Sequence, residues 1–321
     1  MNYKIIDEIK LILAQPETTV VKWIGMPDYR DEVLACWTLL HADDLPMVPR
    51  ILGKPGVGKT SLALACAEYY QRPAYVFQCT MDTRPEDLLI SPFLNQDNRI
   101  SYFASPIVTA MLEGGVAILD EANRMTEKSW ASLAPLLDYR QSVESVITGL
   151  KIKAHPDFRC CVTMNEDAST YEIPDYILSR LQPRISLDFP NEADEKKILS
   201  YHLRFAPEKL IDLAVRYLQT SHRLNLDFAS RDGIHLIQYT LRLMKLKPDL
   251  TVEQAFVESI RRILGDEATD PDSLSKKRNL DIPKTQFEFS DWHKNSQDYS
   301  DGFQSLNDFL SPADSDLPDN S

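Results

Sequence analysis

Eight residues, Gly53-Lys54-Pro55-Gly56-Val57-Gly58-Lys59-Thr60, follow the pattern G-x-x-x-x-G-K-[ST]. The glycines let backbone N–H groups turn inward around an anion. Lys59 adds a point charge suited to β and γ phosphate oxygens. Thr60 offers a hydroxyl to Mg²⁺, and the helix start behind the loop adds positive potential. Ser61 follows directly and is grouped with the loop. Further along, Val116 to Glu121 reads VAILDE. Four apolar residues bury a strand there, and Asp120 and Glu121 emerge at its carboxyl end, where open parallel sheets bind ligands. Asp120 is suited to hold Mg²⁺, and Glu121 to polarise an attacking water. Asn165 closes another buried run, FRCCVTMNE. A polar side chain at such a strand end can orient the same water. The ligands this set asks for are ATP and Mg²⁺.

These residues need a scaffold that aligns strand ends. PRILGKPGVGKTSLALACAEYY reads as strand, loop and helix, and AYVFQCT, GGVAILDEANR, FRCCVTMNE and RISLDF as buried strands. Helical stretches separate most of them: residues 28–41, RPEDLL and EKSWASLAPLLDYR. Apolar strands alternating with helices predict an α/β fold with a parallel, doubly wound sheet. SVITGLKIKAH alternates around Gly149 and predicts a β-hairpin. Residues 3–15 carry a helical period, so a short amphipathic helix is expected there. From Glu192 on, four segments with apolar residues at intervals of three and four predict a small helical domain. The expected division is 1–190, 191–268 and an extended, partly disordered acidic tail over 269–321. Residues 296–321 contain no Lys or Arg, a composition that opposes packing, although FQSLNDFL within them has the character of a docking motif.

Bulk composition narrows the function classes. The net charge is −13, and a general affinity for DNA backbone needs the opposite sign. The first ten residues lack the apolar core of a signal peptide, and no run reaches membrane-spanning length. The five cysteines have no zinc-type spacing and sit in apolar segments, as buried reduced thiols of a cytoplasmic protein would. His155 has no partner at ligand spacing and reads as structural.

GKPGVGKT, AILDEANR and FRCCVTMNE together resemble the AAA+ ATPases. The stretch from LDEANR through AHPDFRCCVTMNE is similar to the MoxR branch, which has DE-x-NR after the second motif and a hairpin before a strand ending T-x-N-P. Glu166 stands here where that branch usually has proline. The resemblance implies a P-loop AAA+ core followed by a small all-α lid. It makes Asn165 the first sensor of the γ-phosphate. IPDYILSRLQPRISLDF resembles the branch's finger-bearing stretch, which places Arg180 as a finger reaching a neighbour's ATP and Arg184 as a second. Arg231, with Arg223 as its competitor, takes the role of the second sensor. Ile24 and Gly25 become the adenine-contacting turn. Tyr102 and Phe103, in the insert over 93–106, either face a central pore or pack against Trp130.

The function this implies is an ATP-hydrolysing ring, a homo-oligomer and by resemblance a hexamer. Such a ring remodels or activates a partner protein, by resemblance one with a von Willebrand factor A domain. A nucleic-acid-linked motor and a nucleotide-binding switch without turnover are the alternatives. The acidic balance counts against the first, and intact Lys59, Asp120, Glu121 and Asn165 against the second.

Overall fold

Strands buried on both faces read as apolar runs without polar alternation. VAILD and RCCVTMN are such runs, and they form the centre of the first unit. The computed structural model describes residues 2–94, 98–166 and 172–270. In chain order the first unit contains β1 (Tyr3–Ile6), β2 (Ile9–Ile12), α1 (Pro27–Trp37), β3 (Arg50–Gly53), α2 (Lys59–Tyr69) and β4 (Ala74–Gln78). Then come α3 (Pro85–Leu88), β5 (Ile90–Leu94), β6 (Ile100–Ala104), α4 (Pro106–Glu113), β7 (Val116–Asp120) and α5 (Glu127–Leu133). The unit closes with β8 (Ser142–Glu144), β9 (Lys151–Lys153), β10 (Arg159–Asn165), α6 (Asp175–Leu178) and β11 (Arg184–Leu187).

Five strands form one sheet in the order β11-β3-β10-β7-β4, and every neighbouring pair is parallel. Ile51, Leu62, Ile118 and Val162 are fully buried around it. The register decides where chemistry can occur. Gly53 pairs with Asn165 and with Leu187, while Asp120 pairs with Gln78. The carboxyl ends of β3, β7 and β10 therefore come level along one sheet edge.

The structure corrects three expectations. Residues 3–15 are not a helix: β1 and β2 form a hairpin, with Ile6 opposite Ile9. Its turn is Asp7-Glu8, both in the left-handed region (φ 45° and 68°). A two-residue turn of that kind normally advertises itself with Asn-Gly or Asp-Gly, and Asp-Glu does not. The hairpin is held by a strand far away in sequence, because β2 lies parallel to β6, which pairs with β5. The helix expected over 28–41 ends at Trp37, where Thr38 turns extended and its hydroxyl bonds the Leu34 carbonyl. The helix expected in EKSWASLAPLLDYR stops at Leu133, because Pro135 cannot continue the ladder. The hairpin around Gly149 is present, with Ser142 opposite Lys153.

The second unit starts at Phe189 and contains α7 (Glu192–His202), α8 (Glu208–Arg223), α9 (Ser230–Leu246) and α10 (Val252–Leu264). Leu218, Leu236, Ile237 and Phe256 lie in its core. Residues 271–321, which hold most of the expected acidic tail and its FQSLNDFL segment, lie outside the described residues.

One titratable group sits deep in this helical unit. Glu195 is wholly buried and accepts from Gln219 Nε2 at 2.6 Å and Ser230 Oγ at 3.2 Å. Burial pushes its carboxyl up to about 7, against the two hydrogen bonds that pull it down. The folded unit therefore keeps a proton that the unfolded chain has released above about pH 4.5, and stability falls as pH rises from there through about 7. His222, with Nδ1 4.0 Å from Glu195 Oε2, is pushed down by its own burial and acts in the opposite sense. Glu195→Gln should flatten the loss of stability between about pH 5 and 7.5. Thermal unfolding across that range reads the slope, and a slope equal to wild type would remove Glu195 as its source.

Candidate active site

The phosphate loop is shaped by two glycines for different reasons. A Cβ at Gly53 would lie 2.5 Å from the Leu187 carbonyl oxygen, because β11 runs alongside in register. Gly58 has φ +104° and a Trp23 ring carbon 3.3 Å from where its Cβ would be. Lys59 opens α2, and its side chain is buried. Its Nζ donates to the carbonyls of Gly53 and Lys54, each at 2.9 Å. The ammonium is thus tethered inside the loop, and its donors can be re-aimed at phosphate oxygens. Val57 is buried beneath the loop, and Ser61 is exposed.

The loop preceding α1 packs against this glycine turn through Trp23, whose Nε1 donates to the Met26 carbonyl at 2.8 Å. Ile24 and Gly25 lie within that stretch. Trp23, which the sequence reading did not single out, makes that contact.

Thr60 Oγ1 donates to Asp120 Oδ1 at 2.8 Å, which joins the first turn of α2 to the end of β7. Thr163 Oγ1 donates to the same carboxylate oxygen from β10. The Thr163 hydroxyl also accepts the Glu121 backbone N–H at 3.2 Å. Glu121 has φ 53°, a left-handed conformation uncommon for a residue with a side chain. Its Oε1 accepts from Asn165 Nδ2 at 3.3 Å, and its Oε2 lies 2.6 Å from Arg124 Nε. Asn123, buried, donates Nδ2 to the Asn165 carbonyl at 2.8 Å. Glu121, with two bonds, and Asn123, with one, therefore tie the end of β7 to the end of β10. Thr163 lies two residues before Asn165 and so on the same strand face, a signal the alternation rule already contains. Arg124 and Asn123 belong to DEANR, but only the register shows what they hold.

Asp120 and Thr60 offer oxygen donors at one point, the hard donor type that Mg²⁺ takes. Among the described residues, no group of three or more His, Cys, Asp and Glu side chains is placed to hold a metal ion by itself. An ion here would therefore share its coordination with phosphates and water.

The arginines lie in three places. Arg180 follows α6, donates Nη1 to the Tyr176 carbonyl and has Nε 3.4 Å from Asp138 Oδ2. Arg184 opens β11 and reaches its own chain's Glu166, with Nη2 3.5 Å from Oε1. Glu166 thus has a partner. Arg231 stands in the exposed first turn of α9 and Arg223 ends α8, both in the helical unit. A cation opposes the helix dipole at Arg231 and suits it at Arg223.

In the insert, Tyr102 and Phe103 sit on β6 opposite Leu11 and Ile12. They point to opposite faces: Tyr102 packs on the core cluster that also contains Trp130, and Phe103 is exposed. Residues 95–97 lie outside the described residues. The five cysteines are buried and free, and burial pushes the thiols up, Cys36 to about 11 and Cys66 and Cys160 to about 12. None is a nucleophile at neutral pH. His155 Nδ1 accepts the Asp157 backbone N–H at 3.1 Å, a local turn contact.

Residues 50–182 match the AAA domain family, dynein-related subfamily. The chain resembles that family over these residues. Its fold is the P-loop AAA+ fold with a helical C-terminal region, as in the solved structures it resembles. A mutant of Thermotoga maritima RuvB aligns with a TM-score of 0.55 at 14% identity, over 79% of this chain and 76% of that one. The Thermotoga maritima RuvB Holliday junction branch migration motor aligns with a TM-score of 0.51 at 16% identity, over 74% and 70%. By sequence, uncharacterized proteins of Staphylococcus aureus strains bovine RF122 / ET3-1 and COL are 26% identical over 220 residues, 67% of this chain and 83% of theirs. The matched region runs from β3 to four residues past α6, and so contains the glycine loop, Asp120, Glu121, Asn165 and Arg180. No helix among the described residues is long and apolar enough to cross a membrane.

Proposed function

We propose that this protein is an ATPase that works as a ring and uses hydrolysis to remodel or activate a partner protein. The observation that carries the hydrolytic reading is the convergence of Thr60, Asp120, Glu121 and Asn165 through direct hydrogen bonds at one sheet edge. Lys59 and the loop N–H groups bind the phosphates. Thr60 and Asp120 would hold Mg²⁺, which would supply charge neutralisation at the phosphates. Glu121 takes the proton of the attacking water. Asn165, in contact with Glu121 Oε1, keeps carboxylate and water aligned.

The finer reading is a MoxR-like ATPase of the cytoplasm, assembled as a homo-hexamer and acting on a protein with a von Willebrand factor A domain. Its support is DEANR, the hairpin over 142–153 and the strand that follows. Arg180 belongs to the same reading, supplied to the ATP of a neighbouring copy. The net charge of −13 and the absence of a basic patch in the sequence weigh against a nucleic-acid substrate, and a fold-level likeness to a branch migration motor does not reverse that.

Glu121→Gln tests the hydrolytic core. The amide fills the same space and still meets Asn165, yet it cannot accept the water's proton. ATP should bind at near wild-type affinity while steady-state phosphate release falls by about 10²-fold or more. Phosphate release near the wild-type rate would end the assignment of Glu121.

A further inference from the structure

Asp138 lies in the segment between α5 and β8, at the end of the EKSWASLAPLLDYR stretch, and no role was read for it there. Its side chain is only 13% exposed. It serves two arginines at once. Arg140 donates Nε to Oδ1 at 3.0 Å and Nη2 to Oδ2 at 2.7 Å, and its backbone N–H adds a third bond to Oδ1 at 3.0 Å. Arg180 brings Nε to 3.4 Å from Oδ2. Hydrogen bonding from Arg140, with help from Arg180, holds the Asp138 carboxyl down at about 2, so it stays ionised at any working pH.

The second contact has a particular character. Arg180 Nε is buried and makes no hydrogen bond, although the carboxylate stands beside it. A buried donor without a bond is uncommon and calls for a reason beyond packing. The Tyr176 carbonyl fixes one end of the guanidinium through Nη1, and the Tyr176 ring lies 5.8 Å from Cζ. Asp138 supplies the attraction that sets the direction of the remainder. A side chain with four rotatable bonds gains from such a restraint, because an unheld arginine spreads over many rotamers.

We propose that Asp138 is the positioning residue for Arg180, aiming its guanidinium for use on the ATP of a neighbouring copy. This rests on the trans-acting reading of Arg180 given above. The side chains that Asp138 contacts are Arg140 and Arg180, so it acts through the arginine. The restraint is electrostatic, so the neutral isostere should release it with little change of shape. A small misplacement of a group that must meet a developing charge costs on the order of 10- to 10²-fold in rate.

The test is a double-mutant cycle on the full chain, with steady-state ATP turnover and ATP affinity as readouts. Asp138→Asn should lower kcat by about 10-fold or more, leaving the Michaelis constant and ATP affinity unchanged. Added to Arg180→Ala, it should cost nothing further, because the group it positions is gone. Arg140→Gln should leave kcat at the wild-type level, since Asp138 keeps its charge and Arg180. If Asp138→Asn does not fold, judged by loss of cooperative unfolding, Asp138→Ser takes its place under the same criterion. A slow Arg180→Ala beside an Asp138→Asn of wild-type rate overturns the positioning role alone. So does a cost of Asp138→Asn that persists in the Arg180→Ala background, or an equal loss in Arg140→Gln. Arg180→Ala turning over at the wild-type rate overturns the trans-acting reading and the positioning role together.

Discussion

Lys59→Ala should abolish measurable ATP binding. Lys59 Nζ sits between the carbonyls of Gly53 and Lys54, and its side chain is buried. Three donors on one ammonium can exchange those carbonyls for phosphate oxygens without leaving the loop. Charge-assisted hydrogen bonds contribute roughly 1.5–3 kcal/mol each, and two to phosphate would account for a loss of about 10²- to 10⁴-fold in affinity. The alanine variant also leaves two inward carbonyls facing the anion, so the residual loop repels what it should hold. Calorimetric titration with ATP and Mg²⁺ reads the result directly, and affinity within a few-fold of wild type would sink the assignment of the loop.

Arg180→Ala should bind ATP in its own site and still hydrolyse it roughly 10³-fold more slowly. Its partners, Tyr176 and Asp138, include no residue of the phosphate loop or of the cluster around Asp120. Own-site binding therefore has no reason to suffer. Phosphoryl transfer spreads charge over the γ-phosphate, and an arginine brought by a neighbour stabilises it. Mixing Arg180→Ala subunits with Lys59→Ala subunits is the decisive measurement. Some sites in a mixed ring combine an intact Lys59 with a neighbour's intact Arg180, so turnover should rise above both parents at intermediate ratios. An arginine that only caps α6 predicts lower stability and additive rates at every ratio, and such a result would refute the trans role.

The glycine loop was legible from residue types because its pattern fixes four positions, Gly53, Gly58, Lys59 and Thr60, within eight consecutive residues. The parallel sheet was legible because a strand buried on both faces leaves an unbroken apolar run, as VAILD and RCCVTM do. The hairpin at residues 3–12 was not legible. Ile5, Ile9 and Ile12 satisfy a helical period as well as they satisfy strands, and the partner that decides between them is β6, some ninety residues on. Asp138 and Trp23 were invisible for a related reason. Each acts on a residue distant in sequence, Arg180 and Gly58, and neither belongs to a local pattern. Thr163 could have been found, since alternation places it on the face of Asn165, but a threonine in a strand is too common to stand out.

The first glycine of the phosphate loop answers to a different master from the rest. Gly53 is closed to any side chain by the carbonyl of Leu187, an atom of the neighbouring strand rather than of a ligand. Evidence of nucleotide use is therefore unevenly distributed within the motif. A descendant of this chain that had abandoned ATP altogether would still have to keep Gly53 for its sheet to close against β11. It would be under less pressure to keep the lysine, whose position in the loop suits it to an anion. When a decayed copy of such a loop is met in a genome, a surviving first glycine testifies to an intact sheet, and a surviving lysine testifies to a working site.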